Sequence, residues 1–189
     1  MMSTRPLAEL VHIDRTSVQP EAITQGTRYI GLDCIETGGK ILRVDEVAPG
    51  DIASQKFAFD DRHILFGKLR PNLAKIARPE FSGICSTDIL PIRPRPDVDR
   101  AYLVHYLLSP EAVAWATSRT SGANLPRLSP TVLGTLPVPL PPLPEQRRIA
   151  SILDRADDLK RLVARQRELL RESRLTVVAA AESQANTAR

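Results

Sequence analysis

Two short runs of this sequence hold the side chains best suited to touch a polyanion. In GKLRPNLAK, Lys68, Arg70, Asn72 and Lys75 set hydrogen-bond donors around a proline-kinked turn. Arginine and lysine pair with guanine edges, asparagine with adenine, and all of them hold phosphate. In SRTSGANLPR, Arg119, Thr120, Ser121, Asn124 and Arg127 flank Gly122, and the run has almost nothing apolar to bury. A glycine there lets another backbone approach closely. The chemistry that these types and spacings support is recognition of base edges and phosphate. Lys40, Arg43, Gln55 and Lys56 are weaker candidates for the same role. The plainer alternative for the first run is a strand, in which Lys68 and Arg70 only solvate the face opposite Phe66 and Leu69.

Residue sets that would support catalysis are sparse. The histidines His12, His63 and His105 are scattered without metal-ligand spacing, so no metal site is predicted. Glycines occur singly or as Gly38-Gly39, which offers neither a phosphate-cradling loop nor a dinucleotide fingerprint, and no cofactor is expected. A metal-dependent nuclease wants clustered carboxylates beside a lysine. The nearest approach is the triplet Asp158-Leu159-Lys160, which lies in a helical stretch and reads as helix surface.

The elements that would position the two basic runs follow from local pattern. TRYIGLDCI is β-rich and closes at Gly38-Gly39, and KILRV resumes an extended pattern until Pro49 and Gly50. HILFGKL is a strand ended by Pro71, FSGICSTDILPIRP reads as two short strands or one bent one, and Arg93 to Pro96 as a loop. AYLVHYLLS and PEAVAWATSR have helical spacing, with Ser109 capping the second and Pro110 at its first position. Ser129-Pro130 repeats that start for a short helix. The sum is an α+β domain with a mixed sheet over residues 1–143. Its charge is nearly balanced, because residues 144–189 carry ten Lys and Arg against seven Asp and Glu out of a net +4 for the chain. A DNA-binding face would therefore be a local patch. Cys34 and Cys85 lie in apolar runs and are expected as buried reduced thiols, with a disulfide the lesser alternative. No secretory leader or membrane-length apolar stretch is present, which predicts a cytoplasmic protein.

From Leu136 the composition changes. Prolines at 137, 139, 141, 142 and 144 suit neither a helix interior nor a central strand and predict a rigid polyproline strut, with Pro144 at the first position of a helix. Ile152, Ala156, Leu159, Val163, Gln166, Leu170, Ser173 and Val177 then alternate steps of four and three residues, the spacing of a coiled-coil seam. The polar Gln166 and Ser173 would fix register and partner number. A helix from Glu145 to about Glu182 would be roughly 57 Å long, so its stripe is expected to meet another chain. The predicted organisation is thus residues 1–143 as a globular head and 144–189 as a long helix and tail.

The junction LPVPLPPLPEQRRIASIL resembles that of the specificity subunits of type I restriction-modification enzymes, where a target recognition domain runs through a proline-rich segment and an EQ-R-I motif into a helix. RYIGLDCIETGGKI, DRHILFGKLRPNLAKI and SGANLPRLSPTVLGTLPVPLPPLPEQRRI resemble further stretches of that family in matching order. The resemblance implies a non-catalytic DNA-recognition subunit that reads a half-site and positions methyltransferase and restriction-translocase subunits. It also implies a departure. Full specificity subunits resemble a tandem duplication with two recognition domains, and this sequence carries one domain, one helix and no internal repeat. Two copies pairing their helices antiparallel would restore the full arrangement and would call for an interrupted palindromic target. A scaffold or inhibitor that binds methyltransferase subunits through the helix without reading DNA is the alternative.

Overall fold

The structure, a computed structural model, describes residues 3–187, with the side chains of the C-terminal helix described to residue 174. The chain divides into two compact units, residues 1–150 and 151–189. In the first unit the order is β1 (Ser3–Pro6), α1 (Leu7–Leu10), β2 (Val11–Ile13), β3 (Ser17–Val18), β4 (Thr27–Ile30), β5 (Asp45–Val47), β6 (Lys56–Phe59), β7 (Ile64–Gly67) and β8 (Ile76–Ala77). There follow β9 (Gly83–Cys85), β10 (Ile89–Pro94), α2 (Arg100–Leu107), α3 (Pro110–Thr117), α4 (Pro130–Gly134) and β11 (Pro137–Leu140), after which α5 (Leu143–Thr187) runs on into the second unit. This is the mixed α+β architecture that the sequence predicts.

The sheet β2-β10-β7-β8 divides the interior in two. Side chains alternate across a strand, so Ile64 and Phe66 of β7, Ile76 of β8, and Leu90 and Ile92 of β10 join one apolar cluster with α1, α2, α3 and α4. Leu65, Ala77 and Ile89 point the other way, into a second cluster with Ile30, Cys34, Phe57, Phe59 and Cys85 from the region of the second sheet. That is why the HILF segment reads as a continuous apolar run: both of its faces are covered, and each fully buried aliphatic side chain contributes roughly 1.5–3 kcal/mol. The second sheet, β3-β6-β9-β4-β5, is mixed, with β4 and β9 parallel. Cys34 and Cys85 are both buried and free, and burial pushes both thiols up.

Local capping chemistry sets the helix starts. The hydroxyls of Ser109 and Ser129 accept from the backbone N–H of Ala112 and Val132, each at 3.2 Å, ahead of Pro110 and Pro130. Asp99 caps α2 by accepting from Tyr102 N–H at 2.9 Å. Two extended assignments shift. KILRV forms no strand: Ile41 makes a single bridge to Ile35, and β5 begins only at Asp45. The Gly38-Gly39 turn packs instead on β8, so closely that a Cβ on Gly39 would lie 2.2 Å from the Ile76 carbonyl oxygen. Arg93 and Pro94, expected in a loop, extend β10 and pair with His12 and Val11.

The proline strut is corrected as well, since its first half is a strand. β11 pairs antiparallel with β1, Leu140 opposite Ser3 and Val138 opposite Arg5. Backbone groups of alternate residues point to opposite strand edges, so a proline at every second position spares one whole edge. Val138 and Leu140 keep their donors for β1. The carbonyls of Pro137 and Pro139 point away and are met by hydroxyls from α2, Tyr106 donating to Pro137 and Tyr102 to Pro139, the latter at 2.7 Å. α5 then begins at Leu143, one residue before the expected proline. Its first turn is fastened by Gln146, which is 1% exposed. The Gln146 side chain accepts from Asp99 N–H at 2.8 Å and donates to the carbonyls of Pro141 at 2.9 Å and Asp97 at 3.1 Å.

In the second unit, the seam residues with described side chains lie on an exposed helix. Ile152, Leu159, Val163 and Leu170 are 52%, 63%, 44% and 65% exposed, and Ala156, Leu159 and Val163 line a shallow apolar groove on the same helix. Gln166 and Ser173 are also exposed. Val177 lies outside the described side chains. Of the Asp158-Leu159-Lys160 triplet, Asp158 pairs with Arg161 and Lys160 with Asp157 along the helix surface.

Candidate nucleic-acid interface

The two basic runs, about fifty residues apart in the chain, are joined by the backbone. β7 and β8 form a hairpin whose loop holds residues 68–75, closed by Gly67 N–H donating to the Lys75 carbonyl at 2.9 Å. One side of this loop is stitched to the second run. Leu128 N–H donates to Lys68 O at 2.9 Å, Arg70 N–H donates to Pro126 O at 2.8 Å, and Leu69 bridges Arg127. The second run closes on itself through Ser121 N–H to Arg127 O at 3.0 Å and Arg127 N–H to Ser121 O at 2.8 Å. Gly122 holds φ +97 at the tip, a left-handed geometry that suits glycine.

Among the described residues two that are not glycine also take positive φ, and both belong to the first run. Arg70 (φ 50) and Ala74 (φ 45) bracket the 3₁₀ turn Pro71–Leu73. An arginine in that region costs of order 1 kcal/mol and persists because its neighbours hold it. Here the Arg70 N–H is bound to Pro126 and the Arg70 carbonyl accepts from Leu73 N–H at 2.9 Å. The result presents Arg70 and Asn72 as exposed side chains on a fixed backbone, with Lys68 half-buried beside them.

The charged side chains differ in how they are engaged. Lys68, Arg70 and Asn72 carry no side-chain hydrogen bond or ion pair among the described residues. Arg127 is held by Asp88, Nε to Oδ1 at 3.0 Å and Nη2 to Oδ2 at 3.5 Å, and hydrogen bonding to that carboxylate pushes its guanidinium up. Arg119 lies over the Trp115 ring at 4.4 Å and donates to Trp115 O at 3.2 Å and Ser118 Oγ at 3.0 Å. The Thr120 hydroxyl donates to Thr117 O at 3.0 Å, while Ser121 and Asn124 are exposed. Lys75 turns inward to the Leu32 carbonyl at 2.7 Å.

The weaker candidates separate further. Lys56 is buried, its ammonium bound to Ser54 Oγ at 2.7 Å and Ser54 O at 2.9 Å, and burial lowers its proton affinity. On β6 it lies on the face opposite Phe57 and Phe59, with its ammonium over the Tyr29 ring. Arg43 is paired with Asp33 and Asp45, Gln55 accepts from Ser17, and Lys40 stays exposed. Asp88 and Trp115 are missed by a reading of the sequence, because neither STDIL nor EAVAW carries a local sign of the arginine it will meet.

Elsewhere His63, 2% exposed, sits between Asp60 and Arg93, with Nδ1 2.8 Å from Asp60 Oδ1 and Nε2 3.3 Å from Arg93 Nη2. The Asp60 backbone N–H donates to the same Nδ1 at 2.9 Å, and burial and the Arg93 charge lower the proton affinity of the ring, which suits a neutral imidazole. Among the described residues no group of carboxylates, histidines and cysteines is arranged to hold a metal ion, and no helix is long and apolar enough to cross a membrane.

Comparisons with known proteins place this arrangement. The family described as the type I restriction modification DNA specificity domain matches residues 7–171. The chain is 32% identical over 129 residues to the type I restriction enzyme EcoDI specificity subunit of Escherichia coli, covering 66% of this chain and 29% of that protein. It is 30% identical over 93 residues to the MjaVIII specificity subunit of Methanocaldococcus jannaschii, covering 49% of this chain and 21% of that one. Among solved structures, a chain from a study of complex assembly and conformational transition of the type I R-M system superposes with a TM-score of 0.71 at 25% identity, over 85% of this chain and 44% of that chain. The HsdS subunit from Thermoanaerobacter tengcongensis shares the fold, with a TM-score of 0.69 at 24% identity, over 85% of this chain and 44% of that chain. The chain thus spans less than half the length of each of these relatives. With a family match over most of its length and the same α+β head followed by a long helix, this chain belongs to the type I restriction-modification DNA specificity family.

Proposed function

We propose that this chain is a non-catalytic DNA-recognition subunit that reads one half-site of duplex DNA and positions methyltransferase and restriction-translocase subunits on it. The observation that carries this reading is the backbone pairing of the 68–70 and 126–128 segments, which gathers Lys68, Arg70, Asn72, Ser121, Asn124 and Arg127 onto one polar, largely unpartnered surface. Unpaired cations on a pinned loop suit phosphate contacts, and exposed amides suit base edges. Arg119 and Thr120 flank the surface, and Lys75 braces its loop from inside. The exposed stripe of Ile152, Leu159, Val163 and Leu170 supports pairing of two copies through antiparallel helices, since apolar rows of that length are normally covered. A pair so formed would read an interrupted palindrome.

The test is duplex binding by the chain together with its methyltransferase subunit, at two salt concentrations. Replacing Lys68, Arg70 and Asn124 together by alanine should weaken binding by about tenfold or more and flatten the salt dependence by roughly one unit for each phosphate no longer neutralised. Undiminished DNA binding by the triple variant would overturn the assignment of this surface.

A further inference from the structure

We propose that Arg127 reads a guanine edge and that Asp88 is the positioning residue that aims it, an inference that rests on the DNA-reading function above. The arginines of this surface are built differently. Arg70 and Lys68 are untied and can follow a phosphate. Arg127 is fixed at both ends: its backbone by the two hydrogen bonds to Ser121, its guanidinium by the Asp88 carboxylate. Asp88 is itself fixed, its N–H donating to Ser86 Oγ at 3.2 Å and its carbonyl accepting from Lys68 N–H at 2.9 Å.

The geometry of the pair decides what remains free. Asp88 engages the Nε and Nη2 side of the guanidinium. A guanidinium has five donors in a planar fork, so Nη1 keeps both its hydrogens and Nη2 keeps its outer one. Those form a second, end-on pair of parallel donors, the arrangement that fits O6 and N7 of guanine in the major groove. The side chains of Arg127 and Asp88 are 43% and 26% exposed, so the free end is open to a ligand. A carboxylate on a DNA-facing surface repels phosphate and weakens binding that ignores sequence. Its presence here is explained by orientation: an arginine already held in one rotamer loses less freedom when it docks and rejects bases that do not offer two acceptors.

The test is selection from a random duplex library by the full chain with its methyltransferase subunit, followed by the same selection with Asp88→Asn, Arg127→Lys and Lys68→Ala. The wild type should enrich a motif containing a guanine whose preference falls about tenfold in both Arg127→Lys and Asp88→Asn, while the other positions keep theirs. Lys68→Ala should weaken all sequences alike. Loss spread evenly over the motif in Asp88→Asn, or a guanine preference indifferent to Arg127→Lys, overturns the inference and leaves DNA reading intact. No enriched sequence for the wild type would sink DNA reading itself, and this inference with it. If Asp88→Asn does not fold, Arg127→Lys decides, because it leaves the Asp88 carboxylate with a cation.

Discussion

Removing the Gln146 side chain should destabilise the globular unit far more than its place near the start of a long helix suggests. Gln146 makes hydrogen bonds to Asp99 N–H, Asp97 O and Pro141 O, at 2.8, 3.1 and 2.9 Å, and is 1% exposed. Three such bonds contribute about 1 kcal/mol each, and leaving the Asp99 donor buried without an acceptor adds a penalty of roughly 1 kcal/mol or more. Alanine returns only a few tenths of a kcal/mol in helix propensity. Gln146→Ala should therefore cost about 4 kcal/mol and lower Tm by roughly 8–16 °C for a protein of this size. Gln146→Glu, nearly identical in shape, should be no better, because a carboxylate cannot donate to the Asp97 and Pro141 carbonyls. Thermal and urea unfolding followed by circular dichroism would measure both, with the exposed Gln166→Ala as a control expected to stay within about 0.5 kcal/mol. A loss under about 1 kcal/mol for Gln146→Ala would refute the view that this side chain fastens the first turn of α5 within the globular unit.

Further outcomes follow from the same structure. Tyr102→Phe removes the hydroxyl donated to Pro139 O and should cost about 1 kcal/mol by urea denaturation, whereas a neutral result would mean that water replaces it freely. Stability should fall as pH drops below the ordinary histidine value of 6.5, because the buried His63 resists a proton that the unfolded chain accepts. Asp60 acts in the same direction at lower pH: burial raises its carboxyl, but hydrogen bonds from Arg62 and the charges of His63 and Arg93 outweigh that and hold it well below 3.8, so its contribution is lost as pH falls through that depressed value. Urea midpoints that stay flat or rise from pH 7.5 to 5.5 would contradict this sign. Leu159→Asp together with Val163→Asp should shift light scattering from a pair toward a single copy without moving the unfolding midpoint of the head, and an unchanged mass would remove the helix stripe as the pairing surface.

The sequence by itself determined what short-range physics controls. Ser109 and Ser129 ahead of proline set two helix starts, the apolar HILF run marks the strand between two cores, and steps of four and three place Ile152, Leu159, Val163 and Leu170 on one stripe, because caps, pleats and helical repeats act within a few residues. The donors at 68–72 and 119–127 were visible as types, but their meeting was decided by hydrogen bonds between Lys68, Arg70 and the 126–128 segment, a pairing that no local pattern encodes. Tertiary structure also turned half of the proline run into an edge strand, buried Lys56, tied Lys75 to Leu32, and set Asp88 against Arg127. Except for the Lys56 hydrogen bonds, which stay local at Ser54, the partner lies tens of residues away in the chain or on a facing strand, and only the folded backbone brings the two charges, or the donor and its acceptor, within reach.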